Sequence, residues 1–179
     1  MRRPGVWMCA ASVLIVFGGC EEKIKPSVLP TVDSRTLPQQ ESWNSRIVLS
    51  DSGRTRAIID AGYIRVYESS KQTQMSQGVV VHFFDRAGAQ TSVLTSDEGT
   101  IDEGTNDLAA YNHVVVVSEN KRRLTTEKLY WDNAKQLIHT PEFVRIVSPN
   151  ETVQGHGLES DQSLHNYRIF RATGESKEE

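Results

Sequence analysis

The segment LTSDEGTIDEGTNDLAAYNHVVVVSEN, at residues 94–120, returns thirty residues later as LTTEKLYWDNAKQLIHTPEFVRIVSPN, at residues 124–150, with seven of the 27 aligned positions identical. Similar residues fill other positions, such as Asp97 against Glu127 and Leu108 against Ile138. An echo at a fixed spacing is typical of a repeated supersecondary unit. We therefore interpret the rest of the chain outward from this repeat.

Each copy has the sequence features of a β-hairpin. A strand opens on Leu-Thr, a polar reversal follows at residues 102–104 or 132–134, and a return strand closes on Val-Ser-x-Asn. A weaker third return strand is present at residues 79–84. Because hairpins of similar register stack side by side, the repeat predicts a long, open, twisted sheet or a flattened jelly roll.

Beyond the repeat, residues 43–172 carry short apolar runs rich in Val, Ile, Tyr and Phe, separated by Gly, Asn, Asp, Ser and charged residues. This punctuation is typical of strands, and the one candidate helical turn is at residues 160–166. The predicted fold class is all-β: an open, twisted β-jelly roll built from repeated antiparallel hairpins. The candidate strands are residues 46–50, 56–60, 63–68, 78–84, 91–95, 99–102, 108–118, 123–131, 136–139, 143–147, 152–158 and 167–171.

The side-chain pattern of the strands predicts which faces are covered. Residues 78–84 and 113–118 lack the alternation of a sheet that is wet on one side, so we expect both of their faces to be buried. Residues 143–148 alternate more clearly and predict one exposed face. Tyr130 and Trp131 are adjacent on a strand and point to opposite faces, which predicts that one of them enters the interior.

The N-terminus has the features of an export signal. Arg2 and Arg3 precede an uncharged run that ends at Gly19 and is shorter than the ~20 apolar residues needed to span a bilayer. We interpret residues 1–19 as a signal peptide. The small residues before Cys20 resemble a bacterial lipobox, in which the cysteine becomes the lipidated first residue of the mature protein. The alternative is an uncleaved anchor in which Cys20 is incidental.

Residues 20–42 contain three of the six prolines and no sustained periodicity, which predicts a lipid-anchored flexible tether ahead of the domain at residues 43–172. Residues 173–179 are small and charged and predict a disordered tail. Cleavage before Cys20 removes two arginines, so 18 Lys+Arg remain against 23 Asp+Glu and the net charge is −5. This balance argues against a nucleic-acid partner. Cys20 would then be the single remaining cysteine, so no intrachain disulfide is expected.

No motif in the chain predicts catalysis, a metal or a cofactor. The histidines lack metal-ligand spacing, and no phosphate loop, nucleophile elbow or Cys/His pair is present. Lys121, Arg122 and Arg123 either meet a phosphate or an acidic headgroup or solvate a turn. Five clustered carboxylates either form an acid pair for glycoside cleavage or flank turns: Asp97, Glu98, Asp102, Glu103 and Asp107.

Two motifs, LTTEKLYWD at residues 124–132 and GHGLESD at residues 155–161, complete a pattern of anchored N-terminus, proline-bearing tether and repeated hairpins. In order and spacing the pattern resembles the LptC family, the periplasmic bridge component of the lipopolysaccharide-exporting ABC transporter, and the OstA-like domains that share its fold. The family usually has an uncleaved transmembrane helix where this chain has Cys20. The resemblance implies a protein at the periplasmic face of the inner membrane that is not an enzyme.

The resemblance also implies the partners and the site. Lipopolysaccharide would pass from the transporter subunits, through an apolar groove, to a soluble periplasmic bridge protein of the same fold. We expect residues 47–49 (Ile47, Val48 and Leu49) to face the transporter and an edge strand containing Tyr167, Ile169 and Phe170 to pair with the bridge protein. The expected groove residues are Val81, Phe83, Val116, Leu129, Trp131 and Ile146. The alternatives are a structural lipoprotein that binds only proteins and a periplasmic carbohydrate-active enzyme.

Overall fold

A computed structural model describes residues 37–177, which form ten antiparallel strands in one sheet. The expected signal peptide, Cys20 and most of the expected tether lie outside the described residues. The described part of the chain contains no helix, in agreement with the predicted all-β jelly roll. The strands are β1 (Gln40–Asp51), β2 (Arg54–Tyr67), β3 (Gln72–Phe84), β4 (Gln90–Ser96), β5 (Glu98–Asp102), β6 (Leu108–Ser118), β7 (Arg123–Asp132), β8 (Leu137–Val147), β9 (Glu151–Asp161) and β10 (Tyr167–Lys177).

The repeat corresponds to two successive hairpins. The first copy contains β4, β5 and β6, and the second contains β7 and β8. Equivalent positions of the copies are buried in both, because they occupy the same place on the inward face: Leu94 and Leu124, Ile101 and Trp131, Leu108 and Ile138, Val114 and Val144, Val116 and Ile146. The prediction of stacked hairpins of similar register is confirmed.

Several predicted boundaries are wrong, for two physical reasons. Residues 56–60 and 63–68 belong to the single strand β2, and residues 136–139 and 143–147 belong to β8, because the gaps between them are bends inside a strand. β1 starts inside the expected tether, at Gln40, and β10 extends through the expected tail to Lys177, because each pairs with its neighbour there. Residues 162–166 form a turn without helix.

Each long strand bends near its middle, and the bends form a line across the sheet. Pairing shifts between Ala61 and Tyr63, between Tyr111 and Val114, and between Thr140 and Phe143. Positive φ angles turn the backbone along this line at Asn44, Gln77, Gly78, Asn112, His113 and Gly157. From Asp97 to Gly157 the bends recur every fifteen residues, at 97, 112, 127, 142 and 157, so two strands with their turn give the thirty-residue repeat.

The bend line divides the sheet into two layers that face each other. The first layer contains the strand halves next to the β1–β2, β3–β4, β6–β7 and β8–β9 turns, and the second contains the remaining halves. Phe83 lies in the first layer and Trp131 in the second, yet their ring centroids are 5.2 Å apart. If the sheet were flat, the row of paired residues that contains Phe83 would meet the chain nine residues before Trp131. Nine residues of strand span about 30 Å. The contact therefore requires the sheet to fold over.

The hydrophobic core fills the space between the layers and runs from Leu49 in β1 to Leu164 in the β9–β10 turn. The outer faces differ from the prediction. Val114 and Val116 are buried, but Val117 is 41% exposed. Continuous apolar runs therefore do not mean that both faces of β6 are covered. In β8 the expected alternation is confirmed, with Val144 buried and Phe143 exposed.

Candidate functional site

The expected groove residues all point between the two layers. Val81, Phe83 and Val116 belong to the inward face of the first layer, as does Ile146, whereas Leu129 and Trp131 belong to the second. Each of the six is at most 1% exposed. In this conformation they contact one another and the rest of the core. A ligand can reach them only if the layers move apart.

Four buried side-chain polar atoms have no hydrogen-bond partner in the described part of the chain, and one of them belongs to a groove candidate. Trp131 Nε1 is buried without a hydrogen-bond acceptor, although its indole ring packs against Phe83. A buried N–H without an acceptor costs about 1–3 kcal/mol. The side chains of this interior are mostly apolar, but Trp131 Nε1 remains free to donate a hydrogen bond to an ester or hydroxyl oxygen of a ligand.

The open side of the roll, opposite the bend line, is closed by a cross-layer contact that we call the latch. Arg122 in the β6–β7 turn donates from Nη1 to the carbonyl oxygens of Leu164 at 2.6 Å and His165 at 3.2 Å in the β9–β10 turn. Its guanidinium carbon lies 5.8 Å from the ring centroid of Tyr167, and Asn120 Nδ2 lies 3.5 Å from His165 Nδ1. The Leu164 side chain is fully buried in the core. The latch thus joins turns that belong to different layers.

The three residues of the predicted basic cluster differ in burial and in contacts. Arg122 is half-buried in the latch, whereas Lys121 and Arg123 on either side of it are exposed. Neither of the interpretations offered by the sequence, a phosphate contact or a solvated turn, included a contact between Arg122 and backbone carbonyls. The partner turn is 42 residues away, so no local pattern indicated it.

The sheet ends in two edge strands. Within residues 37–177, β1 pairs only with β2 and β10 pairs only with β9. In β1, Leu49 is buried and Ile47 packs against the core, whereas Val48 is 53% exposed. In β10, Tyr167 and Ile169 pack against the core, whereas Phe170 is 54% exposed. The residues expected to contact partners thus lie on the two edges, and one of those on each edge is an exposed apolar side chain; β1 also exposes Trp43.

The clustered carboxylates are engaged at turns and bends. Asp97 lies 2.7 Å from His113 Nδ1, and this hydrogen bond and charge raise the pKa of His113 above its ordinary value. Asp102 accepts from two amides of its own turn, and Asp107 accepts from the Asn133 amide. Glu103 accepts from the Thr73 hydroxyl at 2.9 Å. These contacts account for four of the five carboxylates, all except Glu98, as parts of turns and bends.

The profile of the family described as "Lipopolysaccharide-assembly, LptC-related" matches residues 30–172, which is most of the chain. The chain belongs to the LptC family. No curated protein sequence matches the chain. Membership implies a role in lipopolysaccharide transport and an association with the periplasm and the inner membrane.

Among residues 37–177 no helix is long and apolar enough to cross a membrane. In the same residues no group of three or more His, Cys, Asp or Glu side chains is placed to hold a metal ion.

The sequence did not predict the burial of two residues. They are Leu164, which a turn would ordinarily expose, and Arg56, a buried cation in β2.

Proposed function

We propose that this protein carries lipopolysaccharide with its acyl chains between the two layers of the roll and its sugars in water. The observation that supports this most directly is an apolar interior that extends from one edge strand to the other. The protein would stand at the periplasmic face of the inner membrane, held by a lipid on Cys20. It would receive its cargo from the export ABC transporter and pass it to a soluble bridge protein of the same fold.

The energetics favour a shared apolar interior. Each CH₂ group that leaves water gains about 0.8 kcal/mol, so a lipid with several acyl chains needs cover along its whole path. When the layers separate, contacts between Phe83 and Trp131 give way to contacts of both rings with acyl chains. The core residues therefore form the closed state and the lining of the loaded state.

The edges supply the connections. Unpaired backbone N–H and C=O groups on an edge strand add a strand from a partner of similar fold. We assign β1, with Ile47 to Leu49, to the transporter and β10, with Tyr167 to Phe170, to the soluble bridge protein. Two edges at opposite ends of one interior would make the groove continuous from protein to protein.

A second function has a specific observation in its favour. The six groove candidates are already packed against protein, as they would be in a scaffold lipoprotein that binds only proteins. The two proposals differ in whether the interior ever contacts lipid. The carbohydrate-active enzyme receives less support, because Asp97, Asp102, Glu103 and Asp107 serve bends and turns.

Photocrosslinking can separate the proposals. A photoreactive residue would replace Val81, Phe83, Val116, Leu129, Trp131 or Ile146 in turn, and cells making lipopolysaccharide would be irradiated. Adducts to lipopolysaccharide at several of these positions are expected, with none at Val117 or Arg145 on the outer face of the first layer. Adducts at none of the six inward positions would rule out transport through the interior and favour the scaffold.

A further inference from the structure

Arg56 reaches the inward face of the sheet because of a bulge. The register between β1 and β2 shifts at Leu49 and Ser50, so Arg56 is an extra residue of β2. Strand alternation would point the side chains of Arg56 and Ala57 to different faces of the sheet. Both residues are buried, however, with Arg56 only 8% exposed. A bulge re-aims a side chain in this way.

The guanidinium of Arg56 is incompletely paired. Nη2 lies 3.2 Å from Asp51 Oδ2, but Nε and Nη1 have no acceptor among the described residues. Ser92 Oγ, also buried, has no partner either. Register places Ala57 beside Phe83 and Phe83 beside Ser92, so Arg56 and Ser92 flank the same segment of β3. Each buried donor that lacks an acceptor lowers the stability of the fold unless a ligand supplies one.

The charges of the turns identify the kind of group that would fit there. Counted over each turn and the three residues on either side, the end with the β1–β2, β3–β4, β6–β7 and β8–β9 turns has seven Lys+Arg and four Asp+Glu. We call it the basic end. The opposite end has four Lys+Arg and seven Asp+Glu. The basic residues at this end include Arg54, beside the β1–β2 turn, and Arg86, in the β3–β4 turn.

We propose that Arg56 binds a phosphate of the acylated ligand, at the basic end of the roll, while the acyl chains lie between the layers. This inference rests on the proposed function and adds the ligand's orientation to it. A guanidinium offers several N–H donors in a planar fork that matches phosphate oxygens. Nε and Nη1 are both unpaired and lie on different edges of that fork, so each can donate to a separate oxygen, and Ser92 Oγ is a further donor.

The test compares lipid A with the same lipid after enzymatic removal of its phosphates, by equilibrium binding to the full-length chain in detergent at fixed salt. Wild-type protein should bind the phosphorylated lipid about tenfold or more tightly than the other. Arg56→Met and Arg56→Gln should lose that preference and bind the dephosphorylated lipid as wild type does. Arg123→Gln, which removes an exposed charge from the same end, should retain the preference.

Arg56→Met retains the apolar stem of the side chain, so it should fold even if Arg56→Gln does not. Equal binding of both lipids by wild type, or an unchanged preference in Arg56→Met, would overturn the inference and leave the proposed function intact. Competition by millimolar inorganic phosphate as strong as that by lipid A would reassign Arg56 to a free anion and also overturn it. Binding of neither lipid would instead refute the proposed function.

Discussion

Nη1 of Arg122 lies 2.6 Å from the carbonyl oxygen of Leu164, although the two residues are 42 positions apart and belong to turns at opposite ends of the strands. The contact exists only because the sheet folds along the bend line. It also buries the Leu164 side chain between the layers, so the position of this turn and the packing of the core are coupled. The latch is thus well placed to control access to the interior.

We expect Arg122→Gln to loosen the open side. Loss of a charge-assisted hydrogen bond to a carbonyl should lower the free energy of unfolding by about 1–3 kcal/mol. If lipid enters between the layers, the variant should also take up lipopolysaccharide faster than wild type. Urea denaturation and stopped-flow uptake would measure the two effects. The matched control is Arg123→Gln, and equal uptake rates in both variants would show that the latch does not gate entry.

Gly62 allows β2 and β3 to bend together. A Cβ atom at this position would lie 2.5 Å from the carbonyl oxygen of Gln77 and 2.9 Å from its Cβ. The first of these atoms belongs to the backbone and the second is the first atom of a side chain, so neither can move away unless the backbone of β3 moves. Gly62→Ala should lower the free energy of unfolding by about 1–3 kcal/mol. Gly104→Ala, whose nearest neighbour is the movable carboxylate of Asp102, should change it much less, and equal effects would contradict this account of the bend.

The sequence predicted the hairpins but not the bends, and the reason is physical. The two copies of the repeat place the same inward-facing positions in register, as with Leu94 and Leu124. The alternation of apolar and polar residues along each strand makes these positions recognisable in the sequence. A bend inside a strand depends on whether the neighbouring strand bends at the same level, and a single stretch of sequence does not show this. Ala61 and Gly62 were therefore interpreted as a gap between two strands. Edge strands followed from their place at the ends of the domain.

The same reasoning explains the residues that were missed. Arg56 is buried by a bulge that only the pairing of β1 with β2 reveals. Leu164 is buried by a turn that folds onto a distant layer. The groove candidates all lie on the inward face, but apolar sequence alone does not distinguish a filled core from a groove.

His113 and Asp97 should make stability depend on pH. The hydrogen bond and charge of Asp97 raise the folded-state pKa of His113 above 6.5. A raised pKa means that protonation favours the fold, so this contribution is fully present below the unfolded pKa and is lost as pH rises through the folded pKa. NMR titration should give His113 a pKa above 6.5 in wild type and a lower one in Asp97→Asn. The same pKa in both proteins would show that the ion pair does not form in solution.

The two edges can be tested separately with matched charges. Val48 on β1 and Phe170 on β10 are exposed by 53% and 54%, so a carboxylate at either position should leave the core undisturbed. A charge on an edge strand disfavours addition of another strand. Phe170→Asp should weaken binding to the soluble bridge protein about tenfold or more while association with the transporter remains, and Val48→Asp should do the reverse. Pull-down of each partner with each variant would measure this, and loss of both partners in one variant, or of neither in both, would contradict the assignment of one edge to each partner.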